Sequence, residues 1–291
     1  MNNIYWTHST ESGLCDRLID LTLMSTYAKI KKSNLYLDWK IVHSGQKYLW
    51  NINDGITKEW DEVRYRDYLY ENLKQYLNLP DNIHIGQGAY NEVFPHYLGG
   101  VHSPYSFYMQ FLENKVTIEE FVNTYFSVIS EFSPTEKLNK LLENITIPNL
   151  SVHLRRRDKI RMDTDGGSLH PKELDDLNKM TILFIDNFIS KNENTKIFFC
   201  SDDENVLNIF TEKYSNNVIK PPSFNDTIEK TYFDIILLSK SSNILMSQKH
   251  SNFSLFSSLL GKTNLYYLYE DCILTRNGFN HLPFIKHYTE L

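Results

Sequence analysis

Hydrophobic positions recur along this chain with two periods, and each change of period marks an element. Ile4-Tyr-Trp6 is a short apolar run, followed by a polar loop from Thr7 to Gly13. From Leu14 the spacing turns helical: Leu14, Leu18, Leu21, Met24, Tyr27 and Ala28 fall three and four residues apart and share one face. Asn34 to Trp39 reads as a second strand, which completes a β-loop-α-β unit whose loop ends on a glycine. Helical spacing returns over 60–79, with Trp60, Val63, Tyr68, Leu69, Leu73 and Leu77 inward and Pro80 as the stop. Ile83 to Gly100 reads as loop-rich. Helices are predicted over about 106–113, from Thr117 to Ser130 after the capping sequence Thr117-Ile-Glu-Glu120, and from Pro134 through Leu142.

The second half repeats the rhythm more plainly. Strands are predicted at 150–154, 196–200, 217–220, 243–247 and 265–269, with helices at 170–190, 204–214, 231–239 and 252–260 between them. Strands alternating with helices of about ten residues or more imply a parallel sheet covered on both faces. Ile145 to Leu150, with Pro148, reads as the crossing between halves. The expected architecture is α/β with two domains, 1–145 and 146–291, the tail after about 277 packing back on the first.

Composition narrows the function. The chain has 291 residues, 41% hydrophobic and 14% aromatic, enough for substantial cores. Its net charge of -6 argues against nucleic acid as the main partner. Cys15, Cys200 and Cys272 lie far apart without a CxxC, and Cys200 ends an apolar run as a buried thiol would. This usage fits a reducing compartment or one indifferent to disulfides. The N-terminus lacks the basic and apolar regions of a signal peptide, and no stretch of about 18 apolar residues offers a membrane span. The expectation is a soluble, cytoplasmic protein, and the Asn/Lys/Ile-rich composition points to a microbial or viral source.

The chemistry collects at strand ends. Asn149-Leu-Ser-Val-His-Leu-Arg-Arg-Arg-Asp-Lys159 runs from an apolar strand into a cationic loop. Arginine suits a phosphate there, because its planar fork donates two parallel hydrogen bonds and keeps its charge. Two further polar clusters, Ser201 to Asp203 and Ser247 to Asn252, also follow strands. In a parallel sheet these ends share one edge, so the three clusters converge where α/β proteins bind ligands. Ser251 and Asn252 open a helix whose free N–H groups face a phosphate. The bland alternatives are a solvated basic turn and simple N-capping.

His153-Leu-Arg-Arg-Arg-Asp158 fits the HxRRxD signature of the α1,2-, α1,6- and protein O-fucosyltransferase superfamily. The chain resembles that superfamily, most strongly its α1,6 type, which includes bacterial nodulation enzymes and the animal core enzyme. The likeness extends to Ser12-Gly-Leu-Cys-Asp-Arg-Leu18 with Leu37-Asp-Trp39, to Phe198-Phe-Cys-Ser-Asp-Asp203, and to Thr231 to Ser239 with Ser251-Asn-Phe-Ser254, in the family's order. The resemblance implies a GT-B fold, two Rossmann-like domains facing across a cleft. It implies an inverting, metal-independent glycosyltransferase, with no cofactor beyond the nucleotide-sugar donor and a glycan or glycoprotein as acceptor. GDP-fucose is the family default, while another donor such as UDP-xylose could fill the same cleft.

The resemblance also implies roles. Arg155 or Arg156 would grip the pyrophosphate and neutralise the leaving group, His153 would face the nucleotide or sugar, and Asp234 would bond the base. Ser251 and Asn252 would contact phosphate, Ser201 and Asp202 would belong to the donor site, and Gly13 with Asp16 would line it from the first domain. The catalytic carboxylate would be Asp163, with Asp158 and Lys159 as the preceding pair; Asp158 and Asp165 remain alternative bases. Arg157, Cys15 and Arg17 depart from the usual pattern.

Other readings remain open. Asp163-Thr-Asp165 also matches the metal-binding DxD of GT-A transferases. The 19 Tyr, 17 Phe and 4 Trp suit a non-catalytic sugar-binding surface around Tyr90 to Tyr108, although core packing uses the same residues.

Overall fold

The computed structural model describes residues 2–7, 13–38, 72–85, 92–94, 104–156, 171–247, 251–268 and 282–288. The chain divides into two compact units, Met1–Asn139 and Lys140–Leu291. Each has its own parallel sheet.

In the first unit, β1 (Asn2–Thr7) leads to α1 (Leu14–Ile30) and β2 (Ser33–Asp38). From Leu14 to Ala28, α1 is buried at every position except Asp16. A helix apolar on most of its surface is a core helix rather than a surface one. α2 (Leu73–Tyr76) passes into β3 (Leu77–Asn78), and β4 (Ile83–Ile85) and β5 (Glu92–Val93) follow. The sheet order is β4-β2-β1-β5, all parallel. α3 (Pro104–Phe111) and α4 (Ile118–Glu131) come next, α4 capped by Thr117, whose Oγ1 accepts from Glu120 N at 3.1 Å. β6 (Ser133–Pro134) and α5 (Glu136–Leu142) complete this part.

Three expectations are corrected here. The helix expected through residue 79 ends at Tyr76, because Leu77–Asn78 pairs antiparallel with β6. Asn78 Nδ2 donates to Ser133 Oγ at 3.1 Å and Pro134 O at 3.3 Å, a bridge that a continuing helix could not make. For the same reason Pro134 lies in a strand instead of opening a helix; its missing N–H is harmless in so short an edge pair. The 60–71 part of that expected helix lies outside the described residues. The described part of the aromatic surface expected between Tyr90 and Tyr108 is largely core: Phe94, Phe107 and Tyr108 are buried, and Phe107 packs against the rings of Phe94, Phe111 and Phe121. Tyr105, half exposed at 50%, is the exception among the described aromatic residues of that stretch.

In the second unit, β7 (Leu150–Leu154), α6 (Pro171–Lys191), β8 (Ile197–Ser201) and α7 (Glu204–Lys213) follow in turn. Val218 then makes a single parallel bridge to Ile197 where a strand was expected. α8 (Thr227–Lys240) carries the chain to β9 (Asn243–Met246), and α9 (Asn252–Gly261), β10 (Asn264–Tyr267) and β11 (Ile285–His287) complete the unit. The sheet order is β11-β10-β9-β7-β8, parallel throughout.

The chain thus leaves β7 in one direction through β8, then returns across it to β9 and moves outward the other way. The order reverses between β7 and β9, the place where doubly wound sheets open a crevice beyond their carboxyl ends. All five residues of β7 are buried, Ser151 and His153 included, because helices cover both faces. Ile285–His287 in the tail supplies β11, paired with β10. At Gly261 α9 comes so close to α8 that a Cβ would lie 1.8 Å from Ser239 O. No helix among the described residues is long and apolar enough to cross a membrane.

Candidate functional site

Register brings the three polar clusters level. Leu150 to His153 pair with Asn243 to Met246 on one side of β7, and Leu150 to Leu154 pair with Ile197 to Ser201 on the other. The residues after Leu154, Ser201 and Met246 therefore emerge together at one sheet edge.

They are bound to one another. Ser201 Oγ donates to Leu154 O and accepts from Asp203 N at 3.0 Å. Asp202 Oδ1 accepts from Arg156 N at 2.6 Å. Ser247 Oγ donates to His153 O at 2.9 Å and accepts from Arg156 Nη1 at 3.4 Å. Arg156 Nη1 also donates to Arg155 O at 3.1 Å, and Nη2 donates to Asn178 Oδ1 on α6 at 2.9 Å. With 0% exposure, Arg156 is the buried centre of this network. The two arginines that the sequence reading treated alike therefore differ: Arg156 ties β7 to β8, β9 and α6, and Arg155 is the partly exposed cation beside it.

His153 faces the start of α9. Its Nδ1 lies 2.9 Å from Ser254 Oγ and 3.1 Å from Ser251 Oγ, and its ring tilts against Phe253 with centroids 4.8 Å apart. Burial, then the charges of Arg155, Arg156 and Lys230, push its pKa down to about 3. At neutral pH the imidazole is uncharged and brings no positive charge to the edge. Ser251 caps α9, its hydroxyl accepting from Ser254 N at 3.4 Å, and Asn252 is the first helical residue.

Asp234 lies in the middle of α8 with its side chain 8% exposed. Lys230, one turn earlier, donates to Asp234 Oδ2 at 2.5 Å. Asp234 Oδ1 is buried without a hydrogen-bond partner among the described residues. Burial pushes this carboxyl up to about 6, against the pull of Lys230. Lys230 also acts electrostatically on His153 and Cys200, which puts the pair near the ends of β7 and β8.

The structure thus gathers His153, Arg155, Arg156, Ser201, Asp202, Asp234, Ser251 and Asn252 in one unit, around the break between β7 and β9. Gly13 belongs to the first unit, at the extended N-terminus of α1 with φ -64° and ψ 165°. Asp158, Lys159, Asp163 and Asp165 lie outside the described residues. Sequence reasoning missed Asn178 and Lys230, and gave Ser254 a place in a family block but no role of its own. The i,i+4 spacing of Lys230 and Asp234 was a usable signal; nothing distinguishes Asn178 from any polar residue on an amphipathic helix. A preorganised cation beside capped helix N–H groups can hold and neutralise a phosphate.

No protein-family model matches this chain, and no curated protein matches it in sequence. Solved structures do. The chain is similar to fucosyltransferase NodZ from Bradyrhizobium at 14% identity, covering 89% of this chain and 94% of that one with a TM-score of 0.53. It is also similar to NodZ alpha-1,6-fucosyltransferase co-crystallised with GDP, at 13% identity over 92% and 96% of the two chains, TM-score 0.54. At such identities the likeness speaks for the fold, the α/β GT-B class expected from the sequence.

Proposed function

We propose that this chain is a glycosyltransferase that moves a sugar from a nucleotide-sugar donor to a glycan hydroxyl, with GDP-fucose the favoured donor. The observation that carries the reading is Arg155 at the end of β7, held beside the fully buried Arg156 where the strand order reverses. The fold shared with NodZ enzymes, one of them co-crystallised with GDP, supports it.

The chemistry is a single displacement with inversion. The acceptor oxygen attacks the anomeric carbon while the bond from that carbon to the phosphate oxygen breaks. The electron pair leaves with the nucleoside diphosphate, and Arg155 meets the charge that develops there. The acceptor proton passes to a carboxylate, Asp163 in this reading, with Asp158 and Asp165 as the other candidates. A positioned cation does the work a metal does in other transferases, so turnover continues in EDTA. His153, Ser251 and Asn252 orient the diphosphate at the start of α9, and Asp234 takes the base.

Release of GDP from GDP-fucose in EDTA, with UDP-sugars in parallel, tests the proposal. Wild type should turn over one donor, and Arg155→Ala and Asp163→Ala should each lose about a hundredfold or more. Turnover only after a divalent ion is restored would move the assignment to a DxD mechanism. Sugar binding without turnover of any donor would leave a lectin.

A further inference from the structure

The peptide unit joining Arg155 to Arg156 is held at both ends. Its carbonyl, Arg155 O, accepts from Arg156 Nη1 at 3.1 Å, and its N–H, on Arg156, donates to Asp202 Oδ1 at 2.6 Å. Fixing a peptide plane fixes the ψ of the residue before it, here Arg155, and ψ helps set where that side chain leaves the backbone. Arg156 can hold the carbonyl only while its own guanidinium is held. Ser247 does this weakly, at 3.4 Å from Nη1. Asn178 does it well, with Oδ1 at 2.9 Å from Nη2.

We infer that Asn178 is a positioning residue for the donor site, acting through Arg156 to aim Arg155 at the diphosphate. The inference rests on the nucleotide-sugar reading above and adds to it a side chain one helix removed from the ligand. The geometry favours a specific role over general packing. Leu177, its neighbour on α6, is fully buried in the core of this unit and supplies the packing. Asn178 is only half-buried and contributes an acceptor where an apolar residue would fill the same space. A guanidinium left one acceptor short shifts toward another, and its hold on Arg155 O goes with it. Ångström-scale misplacement of a positioning group costs up to about a hundredfold in related settings, so about tenfold is expected for one residue removed from the ligand.

The test is GDP affinity measured by calorimetry, with UDP and inorganic pyrophosphate as further probes. Asn178→Leu should weaken binding of GDP about tenfold, and Asn178→Asp, which restores an acceptor, should recover most of it. Leu177→Ala should lower the melting temperature at least as much and leave GDP affinity intact, which separates aim from stability. In an Arg155→Ala background, Asn178→Leu should cost no further affinity, because nothing remains to be aimed. Undiminished affinity in Asn178→Leu, or an additive loss with Arg155→Ala, overturns the inference. Wild type that binds none of the three probes overturns the nucleotide reading itself, and the inference with it.

Discussion

α1 and α9 each open beside a parallel sheet, and their first turns differ in kind. α1 begins at Gly13, which has no side chain to cap with, and is held by burial along nearly its whole length. α9 begins at Ser251, whose hydroxyl caps the helix and lies against His153 of β7. The same contrast runs through the sheets. β1 buries Ile4 and Trp6 in alternation, as a half-covered strand does, while β7 buries polar and apolar residues alike, and its end is bonded to the ends of β8 and β9. A strand end whose polar groups bond one another is ordered before a ligand arrives, so the backbone that carries Arg155 would need little ordering on binding. Preorganisation of this kind sets the second unit's edge apart from that of the first.

The sharpest way to break the comparison is to separate the two arginines. Arg156→Ala strips a buried cation from Asn178, Ser247 and Arg155 O and should cost about 3–5 kcal/mol in urea unfolding. Arg155→Ala should cost less than about 1 kcal/mol. Equal costs would mean that Arg156 is no lock. The two glycines give the next contrast. Gly261→Ala drives a Cβ to 1.8 Å from the backbone oxygen of Ser239, so a loss of about 2–3 kcal/mol is expected. At Gly13 the Cβ meets only the end of a flexible side chain, Asp16 Oδ2 at 2.9 Å, and Gly13→Ala should stay within about 0.5 kcal/mol by the same melting assay.

A third contrast is one of pH. His153 folds with a pKa near 3, below its unfolded value of 6.5, so it stabilises above pH 6.5 and that share is lost as pH falls toward 3. Asp234 runs the other way: its folded pKa near 6 exceeds the unfolded 3.8, so its share is full below pH 3.8 and is lost as pH rises through 6. The stability difference between wild type and His153→Gln should therefore shrink by about 1.4 kcal/mol per pH unit below 6.5. A difference flat with pH would mean that the imidazole is not buried as a neutral group. The last contrast lies in the caps. Thr117→Ala should cost about 1 kcal/mol, and Ser251→Ala should exceed it, because the same hydroxyl also serves His153.

What was legible in the sequence followed from periodicity and local chemistry. The switch from helical to strand spacing located β7, β8, β9 and the helices between them, and the polar residues after each strand marked the shared edge. Tertiary packing hid the rest. Arg155 and Arg156 are adjacent and identical in type, and only the packing of α6, β8 and β9 around one of them makes it structural. Ser133-Pro134 looked like a helix start because proline often opens helices, yet a two-residue pairing with Leu77–Asn78 won. His153 alternates with the apolar Val152 and Leu154, yet a sheet covered on both faces buries it along with them. Asn178 carried no local signal, since its meaning lies in a partner 22 residues away.

The central claim, that the edge at the β7–β9 break holds a nucleotide through Arg155, is tested most directly by titrating GDP into wild type and Arg155→Ala. Binding by wild type and a loss of about a hundredfold in the variant, with melting temperature unchanged within a degree or two, is the predicted result. Equal affinity in the two proteins would contradict it.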